Sequence, residues 1–186
     1  SVIDFLGGLK DLEHKTLRLI GDPETRYRED PVRMLRAARL AAKLGFDIEK
    51  NTRAPIKALA ELLHNVSHAR LWDESVKLLM TGHAEASYEQ LIELDLFSAL
   101  FPQADAARLR DAHTDALYRL AMRNTDERIH DDKGVNPAFL AAVLLWPCVA
   151  EKAARLEHKG LAPAVAVQHA MDDVLDLLQD TTETMS

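Results

Sequence analysis

R-Y-R-E-D-P-V-R-M-L-R-A-A-R-L-A-A-K-L-G, residues Arg26 to Gly45, is the stretch on which the fold prediction rests. Asp30 followed by Pro31 is typical of a helix start, because aspartate is a good N-cap and proline at the first helical position loses no hydrogen bond. Gly45 is the residue type that ends helices in the left-handed conformation. The stretch therefore predicts one helix between Pro31 and Gly45.

This helix is expected to be amphipathic, with a basic stripe along one side. At 100° per residue, one arc carries Arg33, Arg36, Arg39 and Lys43. The other side carries Met34, Leu35, Ala38, Ala41 and Ala42. Between Arg26 and Lys43, six basic and two acidic residues give a charge of +4 in a chain whose net charge is −7. Because two carboxylates open the stripe, it is not a simple polyanion-binding patch.

The acidic and basic residues at the helix start have two interpretations. In the first, Glu29 and Arg33 form a solvated i,i+4 pair worth only about 0.2–0.5 kcal/mol. In the second, Asp30 accepts a hydrogen bond from an exocyclic amine of a base, Arg33 donates to the ring nitrogens or a carbonyl, and Glu29 orients Arg33. Such a bidentate reading discriminates bases by roughly 1–3 kcal/mol, by analogy with groove readout. The charge pattern alone favours the first interpretation.

Several blocks of the sequence resemble one known family. They include E-D-P-V-R (Glu29 to Arg33), similar to an E-D-x-x-R nucleotide-recognition motif, and D-F-L-G-G-L-K-D-L (Asp4 to Leu12), similar to a head-to-neck connector with a Gly7-Gly8 pair. The family is the class II nucleotidyltransferases, which comprises the bacterial poly(A) polymerases and the tRNA CCA-adding enzymes. R-N-T-D-E-R-I-H-D-D-K-G-V-N-P-A-F-L (Arg123 to Leu140) resembles the bacterial poly(A) polymerases in particular.

A later block, A-R-L-W-D-E-S-V-K-L-L (Ala69 to Leu79), is similar to a family motif whose Arg and Glu brace the recognition helix. Arg70 and Glu74 occupy those two positions. The alternative is that they form an ordinary surface ion pair, which contributes little to stability.

The resemblance implies an all-α fold, an irregular array of about eight helices that forms the neck and body of such an enzyme after a short non-helical connector. Residues 1–21 would be a remnant of the head domain and connector, residues 22–102 the neck with its nucleotide-recognition helices, and residues 103–186 part of the helical body. The composition agrees with helices, because Ala and Leu are plentiful and aromatic residues make up only 5%.

Caps, breakers and apolar spacing predict further helices along the chain. The predicted helices are one capped by Asn51–Thr52 and running through Leu63, one capped by Ser67 and ending at Gly82, one or two over Ala84–Leu100 ended by Pro102, Ala104–Met122, one from Asn136–Pro137 through Trp146 with a kink at Pro147, a piece ended by Gly160, and Ala162–Leu178 before a frayed end at Gln179–Ser186. Two non-helical pieces are also predicted, a short strand at Thr16–Ile20 and a polar loop at Asp126–Gly134.

For the intact enzyme, the resemblance implies template-independent addition of AMP from ATP to RNA 3′ ends, with Mg²⁺ as cofactor. Asp30 and Arg33 would meet the adenine edge, Glu29 would orient Arg33, and Arg36 would complete the nucleotide site. Contacts to the phosphates of ATP or RNA would come from Arg26, Arg28, Arg39 and Lys43.

The chemistry of nucleotidyl transfer needs carboxylates that this sequence lacks. Two metal ions clamp the attacking and leaving oxygens, and class II enzymes hold them with an Asp-x-Asp in the head domain. No Asp-x-Asp occurs in these 186 residues, so we assign no catalytic residue and no metal ligand to the chain. Since the chain opens at Ser1 inside a motif, we expect a fragment that is inactive alone. Its expected partners are the missing head domain, ATP and an RNA 3′ end.

Three alternatives stay open. The first is a fragment of a CCA-adding enzyme, because the E-D-x-x-R motif serves both activities. The second is a non-catalytic helical binding module in which Arg33 to Lys43 dock an acidic partner. The third is a metal phosphohydrolase with the order His…His-Asp…Asp. Its candidate ligands are His113, His130, Asp131, and Asp172 or Asp173.

Composition excludes several other classes. The single cysteine, Cys148, rules out an internal disulfide and suits a reducing compartment, so we expect a cytoplasmic protein and a buried, unreactive thiol. No apolar run predicts a membrane span, and we expect no membrane partner. The acidic balance argues against a general nucleic-acid clamp. Members of the family that the sequence resembles tend to carry a basic tail for RNA, whereas this chain ends acidic. The sequence contains no G-x-S-x-G, C-x-x-C or P-loop motif.

Overall fold

The structure of the chain is a computed structural model that describes residue 5 and residues 9–183. The connector residues Asp4, Gly7 and Gly8 lie outside this description. The predicted all-α class is confirmed. The helices are α1 (Leu9–Glu13), α2 (Pro23–Glu29), α3 (Val32–Leu44), α4 (Lys50–Arg53), α5 (Ile56–Leu59), α6 (His68–Leu79), α7 (Ala84–Glu93), α8 (Leu96–Leu100), α9 (Pro102–Arg110), α10 (Ala112–His130), α11 (Pro137–His158) and α12 (Pro163–Glu183), with a 3₁₀ segment at Ala60–Asn65.

The described helices outnumber the expected eight because several predicted helices are divided. Proline at position 55 and a left-handed Asp95 (φ 58°) each interrupt a run that carries apolar residues on both sides. Asp111 divides the predicted Ala104–Met122 helix, since its extended backbone ends α9 and its carboxylate accepts the N–H of His113 to begin α10.

Two short strands form the non-helical part of the described chain. β1 (Thr16–Leu17) pairs in parallel with β2 (Asp47–Ile48), with Thr16 opposite Asp47 and Leu17 opposite Ile48. The predicted strand at Thr16–Ile20 is thus reduced to its first two residues, and the partner strand was not predicted. The pair anchors the segment before α2 to the end of α3.

Helix α3 is the centre of the fold and matches its prediction closely. Its apolar side is buried, including Met34, Leu35, Ala38 and Ala41. Gly45 ends the helix at φ 63°, and the N–H of Phe46 reaches back to the carbonyl of Ala41 at 3.1 Å. This is the left-handed stop expected of a C-terminal glycine.

The segment after β2 starts differently from the prediction. Glu49, rather than Asn51, caps α4 by accepting the N–H of Thr52 at 2.9 Å. Thr52 is completely buried; its Oγ1 accepts the N–H of Leu19 at 3.0 Å and its carbonyl accepts the hydroxyl of Tyr27 at 2.7 Å. Thr52 therefore links α4 to α2 and to the segment that follows β1.

The predicted polar loop at Asp126–Gly134 is wrong in its first half, because α10 continues through His130. Asp126 faces α7, where its two carboxylate oxygens accept the N–H groups of Ala84 and Glu85 at 2.6 and 3.1 Å. Asp126, which was predicted to lie in a loop, is therefore a residue of α10 that caps α7.

Helix α11 begins as predicted, with Asn136 Oδ1 accepting the N–H of Ala138 at 2.9 Å, and it continues through Pro147 to His158. Among the described helices, α11 has the length and hydropathy to cross a membrane, which was not predicted. Helices in protein cores share this length and composition. Leu140 and Leu144 of this helix are buried in the main core.

The described core has two parts. The larger cluster extends from Phe5 through α3, α6 and α7 to Leu144 in α11, and the smaller one joins the second half of α11 to α12 through Val149, Ala153 and Ala166. The larger cluster contains residues from both sides of position 102, and the domain division there stays a prediction. Its packing fixes α2, α3 and α6 side by side, which positions the charged residues considered next.

Candidate functional site

The junction between α2 and α3 places Asp30 between two helix ends. Its N–H donates to the carbonyl of Arg26 at 3.2 Å and closes α2, while its Oδ1 accepts the N–H of Val32 at 3.3 Å. Pro31 already has helical angles (φ −58°, ψ −24°), although the regular helix begins at Val32. The predicted Asp30–Pro31 start is therefore present within one residue.

The other carboxylate oxygen of Asp30 contacts α6. Oδ2 lies 3.0 Å from Nη2 of Arg70 and 4.0 Å from Nη1 of Arg36. Burial raises the pKa of Asp30, but the hydrogen bond and charge of Arg70, the N–H of Val32 and the charge of Arg36 outweigh it and hold the pKa below its usual value. Asp30 is thus an anion at neutral pH and a fixed acceptor.

Arg33 is held in one orientation by the last turn of α2. Its Nη1 donates to the carbonyl of Arg26 at 2.9 Å and to Oε2 of Glu29 at 3.2 Å. The same Glu29 oxygen lies 3.5 Å from Nη1 of Arg26. Since the Arg33 side chain is only 16% exposed, its guanidinium plane has little freedom. The predicted contact between Glu29 and Arg33 is present.

Glu74 of α6 is a buried carboxylate, with 5% of its side chain exposed, that faces the basic stripe of α3. It lies 3.6 Å from Nε of Arg36, 3.9 Å from Nε of Arg39 and 3.4 Å from Nζ of Lys77. Within the described residues, Oε2 of Glu74 accepts no hydrogen bond and Nε of Arg39 donates none, so these two atoms attract each other only through their charges. Arg70 therefore contacts Asp30 at the α2–α3 junction and Glu74 contacts α3, instead of the two forming a surface ion pair with each other.

The remaining predicted residues lie around this network. Arg28 pairs within α2 with Glu24 at 3.0 Å, and both side chains are more than half exposed. Lys43 is exposed in the last turn of α3. Lys77, which completes the charge around Glu74, was not predicted. Its i,i+3 spacing from Glu74 was the signal that could have found it.

The residues proposed for a phosphohydrolase do not form a metal site. In residues 5 and 9–183, no group of three or more His, Cys, Asp or Glu side chains is arranged to hold a metal ion. His130 packs instead edge-on against His83, with the ring centroids 6.5 Å apart. Burial raises the pKa of the half-buried Cys148 thiol, which makes it a poor nucleophile.

Comparison with known proteins agrees with the resemblance seen in the sequence. Residues 45–108 match the family described as "Probable RNA and SrmB- binding site of polymerase A". The chain is 47% identical over 179 residues to Poly(A) polymerase I of Escherichia coli O6:H1, covering 95% of this chain and 38% of that protein. It is 45% identical over 177 residues to Poly(A) polymerase I of Haemophilus influenzae, covering 94% and 39%. The chain is homologous to a segment of the bacterial poly(A) polymerases.

More distant relatives have a second activity in their names. A CCA-adding enzyme of Bacillus pumilus is 31% identical over 178 residues, covering 92% of this chain and 42% of that enzyme. A solved structure described as "Structure of tRNA-processing enzyme complex 3" has a TM-score of 0.50 at 16% identity, covering 93% of this chain and 58% of the other, and it shows the fold alone. The chain spans about two-fifths of the length of the poly(A) polymerases it matches.

Proposed function

We propose that this chain is the nucleotide-recognition neck and part of the helical body of a polynucleotide adenylyltransferase, which adds AMP from ATP to RNA 3′ ends. The observation that carries the proposal is the α2–α3 junction, where an acceptor, Asp30, and a donor, Arg33, stand one helical turn apart and are each fixed by neighbours. The identity to poly(A) polymerases along almost the whole chain supports this activity over others.

In this proposal the junction reads the adenine edge. A carboxylate has about four lone-pair positions, and Asp30 uses one with Val32 and one with Arg70, so further acceptor capacity exists for the exocyclic amine of adenine. Arg33, oriented by Glu29, donates to a ring nitrogen. Because both groups are held before the nucleotide arrives, little conformational entropy is lost on binding.

The cations further along α3 would meet the phosphates. Arg36 and Arg39 are planar donors suited to bidentate phosphate contacts, and Glu74 holds both in place. Arg26, Arg28 and Lys43 extend the cationic surface toward RNA. A buried carboxylate behind two arginines keeps them positioned without covering them, since both remain a fifth to a quarter exposed.

The experiment is hydrogen exchange of the purified chain with and without ATP. We expect protection of the amides of residues 26–33, lost in Arg33→Ala and retained in Arg53→Ala, a control that removes a surface pair with Glu93. CTP and GTP should protect less, because their base edges place donors and acceptors differently. Absence of protection by ATP in the unmodified chain would overturn the assignment.

The phosphoryl chemistry itself is not assigned to this chain. Mg²⁺ in the intact enzyme would neutralise charge on the triphosphate, but the described residues offer no cluster of carboxylates that fits it, so no step is placed on them. We propose that a head domain supplies these groups, that the fragment alone is inactive, and that the intact protein works in the cytoplasm. Incorporation of labelled AMP into an RNA primer by this chain alone would contradict the proposal.

A CCA-adding activity is the second candidate, supported by the 31% identity to such an enzyme over 178 residues. The two activities are separated by assaying the intact protein with ATP alone on an RNA primer, and with CTP plus ATP on tRNA that lacks its 3′ end. We expect a long adenylate tail in the first assay and no requirement for CTP.

A further inference from the structure

A concavity of about 390 Å³, whose lining is mainly apolar with a few polar groups, lies between the second half of α10 and the start of α11. It falls within Arg123 to Leu140, a stretch that contributes no residue to the α2–α3 junction. Asn124, Arg128, Gly134, Asn136 and Phe139 are among the residues that line it. Its volume is within the range of small-molecule sites in proteins, about 300–1,000 Å³.

Two of its polar side chains are already fixed by the backbone. The guanidinium of Arg128 donates from Nε and Nη2 to the carbonyl of Gly134, at 3.1 and 2.8 Å, which sets the plane of the group. Asn136 uses its oxygen to cap α11, so its NH₂ group is left as a donor. Asn124, exposed on α10, has a complete carboxamide that can accept and donate side by side.

The aromatic ring in this concavity is exposed to water. Phe139 has 53% of its surface accessible, although α11 is otherwise anchored in the core by its neighbour Leu140. Single exposed apolar residues are common on protein surfaces and need no function. This one, however, shares a concavity with a fixed guanidinium plane and two carboxamides, which together are the groups that stack on and read an unpaired base.

The local charge decides between a base and a phosphate as the ligand. Arg128 is the cation among the lining residues, and its Nε and Nη2 already donate to the carbonyl of Gly134. Lys133 is paired with Asp131 at 2.8 Å, and the same segment of the sequence carries two further carboxylates, Glu127 and Asp132. Such surroundings oppose a phosphate clamp but not an uncharged base. A side-chain carboxamide pairs well with adenine, which presents an amine beside a ring nitrogen.

We infer that this concavity binds one unpaired adenine base of single-stranded RNA, stacked on Phe139 and read by the carboxamide of Asn124. The inference rests on the proposed function, because an enzyme that extends RNA with adenylate must hold a strand of this composition. The site is separate from the ATP-recognition junction, so the two can be tested independently.

The test measures binding of fluorescent oligo(A) and oligo(U) 20-mers to the full chain by anisotropy. We expect preference for oligo(A) and a roughly 5- to 150-fold weaker affinity in Phe139→Ala, the range found when a stacking aromatic is truncated. Phe139→Trp should restore binding. Trp146→Ala is the matched control, since it removes another half-exposed aromatic from the same helix outside the concavity.

Further readouts separate stacking from electrostatics. The loss in Phe139→Ala should leave the salt dependence of binding unchanged, because no phosphate contact is removed. Equal affinities for Phe139→Ala and Trp146→Ala, or no oligo(A) protection of the amides of residues 124–139, would overturn the inference. The proposed function is judged separately by ATP protection of residues 26–33, which Phe139→Ala should leave intact.

Discussion

Replacing Glu74 tests whether α6 holds the basic stripe of α3 in place. The carboxylate is almost fully buried and stands 3.6 Å from Arg36, 3.9 Å from Arg39 and 3.4 Å from Lys77. Glu74→Gln keeps the size and shape of the side chain but removes its charge. Arg36 and Arg39, each about three-quarters buried, would then face each other across a neutral group.

The magnitude follows from opposing effects. Charges about 4 Å apart attract by about 4 kcal/mol at an effective dielectric constant near 20, and desolvation opposes this attraction. Removing one partner from a fully buried pair costs about 3–5 kcal/mol, because the other charge stays buried without compensation. The arginines regain some solvent and Lys77 is half exposed, so we expect Glu74→Gln to lower the free energy of unfolding by about 2–3 kcal/mol.

The assay is thermal unfolding followed by circular dichroism. For a chain of this size, 1 kcal/mol corresponds to about 2–4 °C, so the Tm should fall by about 4–12 °C. Glu89→Gln is the control, because it removes a similar contact to Arg119 at 3.0 Å from the exposed surface and should change stability by less than about 1 kcal/mol. If the two variants unfold at the same temperature, Glu74 does not brace α3.

Further predictions concern pH, backbone and capping. The Asp30–Arg70 contact should stabilise the chain above pH 3.8, and this stabilisation should be lost as the pH falls through the lowered pKa of Asp30. In urea unfolding, the free energy of Asp30→Asn should therefore not show the loss of stability that this contact causes at low pH in the unmodified chain. Gly45→Ala should lower the free energy of unfolding by about 1–2 kcal/mol, because the residue has a φ of 63° and the new Cβ would meet no neighbouring atom. Gly134→Ala, where the Cβ also has open space, is the control and should leave the free energy from chemical denaturation unchanged. Asp126→Ala should cost about 0.5–2 kcal/mol and speed hydrogen exchange at the start of α7; unchanged exchange there would exclude capping.

The parts of the fold that sequence predicts well are those set by near neighbours. The start of α3 at Asp30–Pro31, its stop at Gly45 and its buried face all follow from residues within one or two turns. The Ser67 cap of α6 is equally local, since its hydroxyl accepts the N–H of Arg70 at 3.4 Å. Such signals depend on neighbouring residues alone, so the packing of distant elements leaves them unchanged.

The errors lie where distant residues decide. The sequence predicted that Thr52 would be part of a helix cap. In the structure its hydroxyl and carbonyl instead bond to Leu19 and Tyr27, which are far away in sequence. The sequence predicted that Asp126 would lie in a loop, whereas in the structure it lies in α10 and caps α7. In both cases a polar side chain satisfies a buried backbone group of another element, and neither propensity nor periodicity reports that need.

The candidate site divides in the same way. The contact of Glu29 with Arg33 follows from i,i+4 spacing, whereas the pairing of Asp30 with Arg70 joins residues forty positions apart. Only the family motif predicted that α6 would contribute there. The recognition roles of these residues stay predictions, while their contacts are properties of the structure.

In the nucleotide site proposed above, the charge balance along the stripe on α3 would favour selective binding. Left unpaired, Arg33, Arg36 and Arg39 would repel one another and bind any polyanion. Each instead has a carboxylate placed behind it, Glu29 for the first and Glu74 for the other two. A cation backed in this way keeps its direction but loses much of its net field, so shape and hydrogen-bond pattern decide which ligand binds. If the proposed site binds nucleotides, neutralising Glu74 should widen the range of nucleotides bound as well as destabilise the chain. Competition by GTP against ATP in Glu74→Gln measures that loss of selectivity.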